Sequence, residues 1–574
     1  MSSRDRTPYT SATVLDQALL DRCFDNLECD LEMVCNLELP TPPGGFIRIS
    51  DRNKYVGSVF YEALAKFPII SRTVGDWLTP EVQFSGLNIE FSNADGRFNP
   101  YLAGGAQYKG FVGKAIDVKI GLRDVAATYS TIFSGKVTDI AGAKRSVKSI
   151  SVIARDKYDA LKVTFPNTAL TKDSYPQLED NLEGTILPVI YGDWTVSLGD
   201  SPAIVPTYFT NGADPNVLGG SRNNIQIRIS DNDLSFFDTS TVFLKRGETT
   251  YNVPTSEITN IASGNFQFEI LQNTGVLWLT VPAPAIAYLW EPTDVFTVRV
   301  KGKDLGAYDD NIVEQARDIA ITYGGLTSGQ FDANWNTYRG KATPAQSAIS
   351  TIKSRIWENE PKPVIQYVLS LLEQVRLEAF ITRDQMFKIS SLHFEDFEAN
   401  PSFTVKNWDV VAESFVPGLD DQNNFNRAQA VFDFHPTAGE STRLSAIHKN
   451  ADAIAQFGFE ISKRITFPNL YESTDVVNQL IEILKLSSAI FEIVDVSLTW
   501  RAMLQEIGGF VNLDVKIGSV IFDKVPCLIR SIGYDPDGLK IPILLWSFQM
   551  CPFPGYVPGY SGTVGGYNAT IISE

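Results

Sequence analysis

Two short runs constrain this chain more than any other feature. In LNIEFS (87–92), Leu87, Ile89 and Phe91 alternate with Asn88, Glu90 and Ser92; in AIDVKI (115–120), Ile116, Val118 and Ile120 alternate with Asp117 and Lys119. Successive side chains of a strand point to opposite faces, so each run reads as a strand with one buried and one wetted face. Half-buried strands of this kind belong to antiparallel sheets. Forty-one glycines and thirty prolines punctuate the whole length, which suits many short strands joined by turns. The predicted class is mainly β with α+β parts, and at 574 residues the chain is multidomain.

The periodicity changes along the chain and suggests divisions. Residues 1–45 read as a helical and extended arm: SATVLDQALLDRCFDNL has helical spacing, LPTPPGG breaks it, and the stripe and exposed cysteines suggest docking on a neighbour. Residues 46–195 read as a first β-barrel-like or sandwich-like module. Residues 196–304 read as an inserted β-rich unit with strand candidates IQIRIS, STVFLKR, FQFEIL and GVLWLTV. Residues 305–400 form an α+β module of helices and a hairpin. Its helices are NIVEQARDIAITYGG, stopped by Gly-Gly, and a second one started by Pro363 with Ile365, Val368, Leu369, Leu372 and Val375 on one stripe. The hairpin turns at Arg383, Asp384 and Gln385. Residues 401–574 form a second β-barrel-like module with a C-terminal tail. It contains a helix capped by Ser473 or Thr474, with Val477, Leu480, Ile481 and Leu484 inward. The pentapeptide DVKIG occurs at 117–121 and again at 514–518, which hints at two related β modules.

Charge narrows the function classes. With 67 acidic against 49 basic residues the net charge is −18. Such a surface repels phosphate backbones, which argues against sequence-specific nucleic-acid binding and suits a surface that nucleic acid slides past. No run resembles a signal peptide or is long enough to span a bilayer, so synthesis in a host cytoplasm without a membrane span is expected. Cys23, Cys29 and Cys35 are spaced C-x5-C-x5-C, with Cys527 and Cys551 far away. That spacing fits neither zinc nor ferredoxin patterns, so no iron–sulfur or zinc cofactor is expected there, only buried free thiols.

Catalytic constellations are absent from the sequence pattern. The three histidines, His393, His435 and His448, lack a neighbouring acid and nucleophile and read as surface or strand-end residues. Asp309-Asp310 and Glu395-Asp396 are adjacent acids of the kind glycosidases pair in space, but among 67 acidic residues they read as solvated charges. No P-loop, G-x-S-x-G or dinucleotide fingerprint is present. No catalytic, cofactor or metal residue is assigned, and no enzyme activity is expected.

The stretch FSNADGRFNPY (91–101) concentrates polar residues at a strand end. Read as a calcium loop, it would place Phe91 and Leu102 at positions that must supply oxygen, so that reading fails. A rigid corner explains each residue: Asn93 bonds its own backbone, Gly96 adopts positive φ and Pro100 ends strand pairing. Arg97 offers a planar fork for a carboxylate across an interface, so Asp95 and Arg97 are the interface candidates.

That corner, followed by GKAIDVKI (113–120), FSGKVTDI (133–140), VIARDKYDAL (152–161) and LPVIYGDWT (187–195), resembles the baseplate or tail-tip hub proteins of tailed bacteriophages. IAITYGGLTSGQFD (319–332), LLEQVRLEAFITRDQMFKISSL and the run from 473 to LQEIGGFVNL (504–513) continue the resemblance, which covers about 46–200 and 305–550. Gly509 departs from it, standing where an Asp is usual. The resemblance implies a structural virion protein at the tail tip or baseplate. It implies a homotrimer whose two hub modules per chain imitate a sixfold tail tube, and a part in the DNA-ejection path. Implied partners are distal tail or tube proteins, the tape measure protein, and a central fibre or spike. Two other classes are weighed: a tail-associated cell-wall hydrolase, and a receptor- or carbohydrate-binding tail protein. The latter would use Phe236, Phe237, Tyr251, Trp278, Tyr288 and Trp290 to stack on sugars, although the same residues serve as sandwich core.

Overall fold

Both alternating runs form strands, and their surroundings build the molecule. A computed structural model describes most of residues 31–195 and 299–547, a helical stretch at 19–21, strand segments and residues 230, 231 and 234 within 207–297, and a strand at 571–573. Among the described residues the chain is β-rich and divided over several sheets, none closed into a barrel.

The first sheet contains β1 (Leu31–Glu38), β2 (Phe46–Ser50), β3 (Lys54–Val56), β4 (Val59–Ala63) and β5 (Ala65–Lys66). After β6 (Ile70–Thr73), which joins another sheet, come β7 (Gly86–Ser92), β8 (Ala115–Leu122), β9 (Ser130–Ala141) and β10 (Ser149–Asp156). Nine strands run in the order β3-β4-β2-β1-β8-β9-β10-β7-β5. Alternation holds as read: Leu87, Ile89 and Phe91 are buried while Asn88 and Glu90 are exposed.

The N-terminal arm differs from expectation. β1 lies inside the sheet, antiparallel to β2 on one side and β8 on the other, so the arm gives way to core strand at residue 31. Its run LEMVC is buried throughout: Leu31, Met33 and Cys35 enter the apolar core, and Glu32 is covered by ion pairs with Arg52 and Lys54. Cys35 is therefore buried, not exposed for docking. Upstream, Leu19 and Leu20 are buried in the same core and Asp21 pairs with Arg501 at 2.6 Å.

In the chain, between the strands of the first and second large sheets, come α1 (Ile312–Thr322), α2 (Val364–Glu373) and the hairpin β11 (Leu377–Ile381) and β12 (Phe387–Ser391). Asn311 caps α1 by accepting from the amides of Val313 and Glu314, and Gly325 at φ +70° follows the helix. The second large sheet uses β13 (Thr404–Lys406) and β14 (Val416–Asp420). A small sheet of β15 (Arg427–His435), β16 (Glu440–Asn450) and β17 (Ser462–Phe467) carries α3 (Ser473–Ser487) on one face. The chain then completes the second large sheet with β18 (Phe491–Thr499), β19 (Phe510–Ile517), β20 (Val520–Tyr534) and β21 (Lys540–Ser547). Its order is β13-β19-β20-β21-β18-β14, with β6 added on β20.

α3 corrects the sequence reading by one residue. Glu472, not Ser473 or Thr474, stands at its N-cap, and Val476, Leu480, Ile483 and Leu484 face inward while Val477 and Ile481 are half-buried. In the 196–304 segment, strands 207–211, 223–228, 276–281 and 267–271 pair antiparallel in that order, and 243–246 pairs with 249–252 and 295–297. The side chains of Phe236, Phe237, Tyr251 and Trp278, and residues Tyr288 and Trp290, lie outside the described residues.

The two large sheets share a single apolar core. Leu87, Ile89, Val118 and Val152 from the first pack in one cluster with Val494, Leu513, Ile529 and Ile543 from the second. A second cluster joins α1, α2, α3, the hairpin and the small sheet.

Candidate assembly interface

The 91–101 corner is built as its residues dictate. Asn93, 4% exposed, accepts from the Phe98 amide through Oδ1 at 3.0 Å and donates through Nδ2 to Asn99 at 2.9 Å. Gly96 stands at φ +74°, and Phe98 is buried against Phe91 and Phe111. Arg97 finds its carboxylates inside the chain. Its Nε donates to Asp95 at 2.6 Å, while Nη1 and Nη2 fork onto Glu62 of β4 at 2.6 and 2.9 Å. The Arg97 hydrogen bonds hold the Asp95 carboxyl below its usual range, and the bonds to Glu62 and Asp95 hold the guanidinium charged. The structure brings both interface candidates together at the surface, with Glu62 as the partner that sequence reasoning missed. No spacing signal could have found Glu62, which is 35 residues away on another strand.

More informative is the relation between the two large sheets. In each, a first strand (β7 or β18) is followed by a three-strand meander (β8-β9-β10 or β19-β20-β21), and the meander's last strand pairs back on the first. All these pairs are antiparallel. Each four-strand unit is flanked by β1 and β5, or by β13 and β14, with β13 parallel where β1 is antiparallel.

Register makes the match residue by residue. The meander pairings Ile116↔Gly135 and Val118↔Phe133 correspond to Val511↔Cys527 and Leu513↔Val525, and both ladders then bulge. On the next ladder, Val137↔Ala154 then Asp139↔Ile153 corresponds to Ile529↔Leu545 then Ser531↔Leu544, with Thr138 and Arg530 as the extra residues. Glycines open both meanders: Gly113 (φ +84°) donates to the Val137 carbonyl, and Gly508 (φ +69°) donates to that of Ile529. The DVKIG copies lie on these equivalent strands but two residues out of step, since Asp117 corresponds to Asn512. Gly121 sits against the Tyr129 ring, whereas Gly518 takes a turn at φ +62°.

The modules are joined by β6, which leaves the first and pairs antiparallel with residues 531–534 of β20. Arg72 on β6 turns into the seam. Its Nη1 meets Glu506 at 2.8 Å and its Nη2 donates to the Tyr534 hydroxyl at 2.8 Å. Glu506 also accepts from the Arg383 amide of the hairpin turn at 2.7 Å, so three parts of the molecule meet there. The only sequence signal for Arg72 is a charged residue in phase with buried Ile70 on a short strand. Nearby, burial pushes the Asp156 carboxyl up to about 6, although its bond from the Tyr158 amide and the charges of Lys157 and Arg72 pull the other way. Two further buried pairs tie the middle unit down: Arg530 of β20 with Glu378 of β11, and Arg355 with Asp433 of β15. Arg355 also lies between the rings of Trp194 and Tyr471 at 4.6 and 4.9 Å.

The remaining sequence candidates have structural places. His393 and His448 are buried, not at the surface, and the His393 Nε2 lies 3.1 Å from the Val375 carbonyl; His435 ends β15. Asp309 and Asp310 accept from the Leu305 and Asp193 amides, as loop-forming groups and not free charges. Burial pushes the Cys35 and Cys527 thiols up, while Cys23, Cys29, Cys551, Glu395 and Asp396 lie outside the described residues. Among the described residues no helix is long and apolar enough to cross a membrane. Gly509, the departure from the hub pattern, precedes β19 and offers its carbonyl to the Ile529 amide.

No family model matches the chain, and no curated protein matches it in sequence. Solved structures do resemble it at low similarity. A tail protein from Neisseria meningitidis shares 9% identity at a TM-score of 0.39, over 90% of this chain and 96% of that one. A 43 kDa prophage tail protein from Shewanella oneidensis shares 12% at 0.38, over 90% and 98%. A chain from a native gene transfer agent virion shares 10% at 0.34, over 70% and 94%.

Proposed function

We infer that this chain is a structural, non-enzymatic component of a phage-like tail, the hub that caps the tail tube at the tip or baseplate. The observation that carries the reading is the internal duplication. Two equivalent meanders per chain allow three chains to present six similar surfaces to a sixfold tube while keeping threefold symmetry for a central fibre or spike. The corner, meander and helix–hairpin motifs occur in the order that hub proteins use. In this reading the other partners are distal tail or tube proteins and the tape measure protein, and the acidic chain borders the DNA path without trapping it. Mass measurement of the purified protein across a concentration series tests it. The expected species is a trimer of about 190 kDa, three times the 63.5 kDa chain. A monomer at every concentration counts against the ring.

A further inference from the structure

Among the described residues the duplication leaves one edge uncovered. On β20 the side facing β19 is continued beyond Ile529 by β6: Val74 donates to the Arg530 carbonyl at 3.0 Å, and residues 70–73 pair with 531–534. Residues 138–141 of β9 correspond to 530–533, and among the described residues no strand continues β8 along that side. The Ile140 amide is met at 2.8 Å by the carboxylate of its own neighbour, Asp139. Burial follows the difference. Ile532 and Gly533 are buried, whereas Thr138, Asp139 and Ala141 are exposed. Val112, the counterpart of Ile507, is 43% exposed where Ile507 is 1% exposed.

Within the chain, the covering strand leaves the first module just after β5, the edge strand on β7. The matching edge strand of the second module is β14 on β18, and its Val416 is 59% exposed. Applying the in-chain relation once more carries the second module of one chain onto the first module of the next. We propose that the edge formed by Val112 and residues 138–141 is the surface on which a second copy of this chain docks its second module from the β14 side. Backbone pairing along residues 138–141 accompanies the contact, as β6 pairs with β20. Asp139 guards the edge against indiscriminate pairing in the free chain. The contact is heterologous and closes as a ring, so it rests on the hub reading above.

The test uses the full-length protein and hydrogen exchange at concentrations below and above assembly. In the trimer, the Ile140 amide, which faces the open side, is expected to exchange at least about tenfold more slowly than in the monomer. Val112→Glu and Val416→Glu, both at exposed positions, are each expected to weaken the trimer about tenfold or more with the monomer's melting temperature unchanged. An equimolar mixture of the two variants retains one intact contact and is expected to give dimers without trimers. A trimer whose Ile140 amide exchanges as in the monomer, or variants that assemble like the parent, overturns this surface and leaves the ring standing. Absence of dimers in the mixture overturns the pairing of Val112 with Val416. A chain monomeric at every concentration overturns both the surface and the ring.

Discussion

Asn93 and Arg97 lie four residues apart in the same corner and carry different weights. Asn93 is buried, accepting from the Phe98 amide and donating to Asn99; truncating it removes the acceptor of the Phe98 amide in the core. Asn93→Ala is expected to cost about 1–3 kcal/mol in urea denaturation. Arg97 keeps about a third of its side chain in water, where ion pairs are screened. Arg97→Ala is expected to change stability by less than about 1 kcal/mol in the same measurement. Its residue type announced a fork for carboxylates, and the fork exists, but the alternation of β4 gave no sign that Glu62 would fill it. Histidine placement was illegible for a related reason: burial of His393 and His448 comes from neighbours distant in sequence.

At the scale of elements, strands with clean alternation were legible and their pairing was not. The helix of residues 473–487 was found, yet its inward stripe is set by the sheet beneath it, which selects Val476 and Ile483 over Val477 and Ile481. The repeated DVKIG marked equivalent strands through a pentapeptide that is itself out of register. Equivalent glycines test the duplication energetically. Both Gly113 and Gly508 take positive φ, but a Cβ at Gly508 would sit 2.7 Å from the Phe380 ring, while one at Gly113 meets nothing within 4 Å. Gly113→Ala is expected to cost about 1 kcal/mol and Gly508→Ala measurably more, both read by chemical denaturation.

At the scale of the molecule, the seam between modules is held by a buried charge. Arg72→Ala removes the guanidinium from Glu506, which among the described residues keeps only backbone amide donors, and from the Tyr534 hydroxyl, and is expected to cost about 3 kcal/mol in denaturation. A second whole-molecule property is pH dependence. Burial pushes Glu373 up to about 7, against the Arg376 and Lys463 charges, and Asp156 up to about 6. For each, the folded state binds the proton more tightly than the unfolded chain. Their contribution is full below the ordinary carboxylate pKa and is lost as pH rises through about 6 and about 7. Glu373→Gln is therefore expected to raise the melting temperature at pH 8 and to flatten its fall between about pH 4.5 and 7.

Local chemistry was decided within a few residues of chain: which runs are strands, where the corner at Asn93 turns, where α1 is capped, and that the surface is acidic. These depend on side-chain periodicity, short-range hydrogen bonds and composition, all of which act along the sequence. Tertiary structure alone decided that Leu31–Glu38 is a core strand, that two sheets share one apolar core, that Arg72 meets Glu506, and that one module's edge is covered while, among the described residues, no strand covers its twin's. Each of these is a contact between segments tens to hundreds of residues apart. A period-two pattern states which face of a strand is buried, but it is silent on which strand lies beside it, because the backbone groups that pair strands are common to every residue except proline.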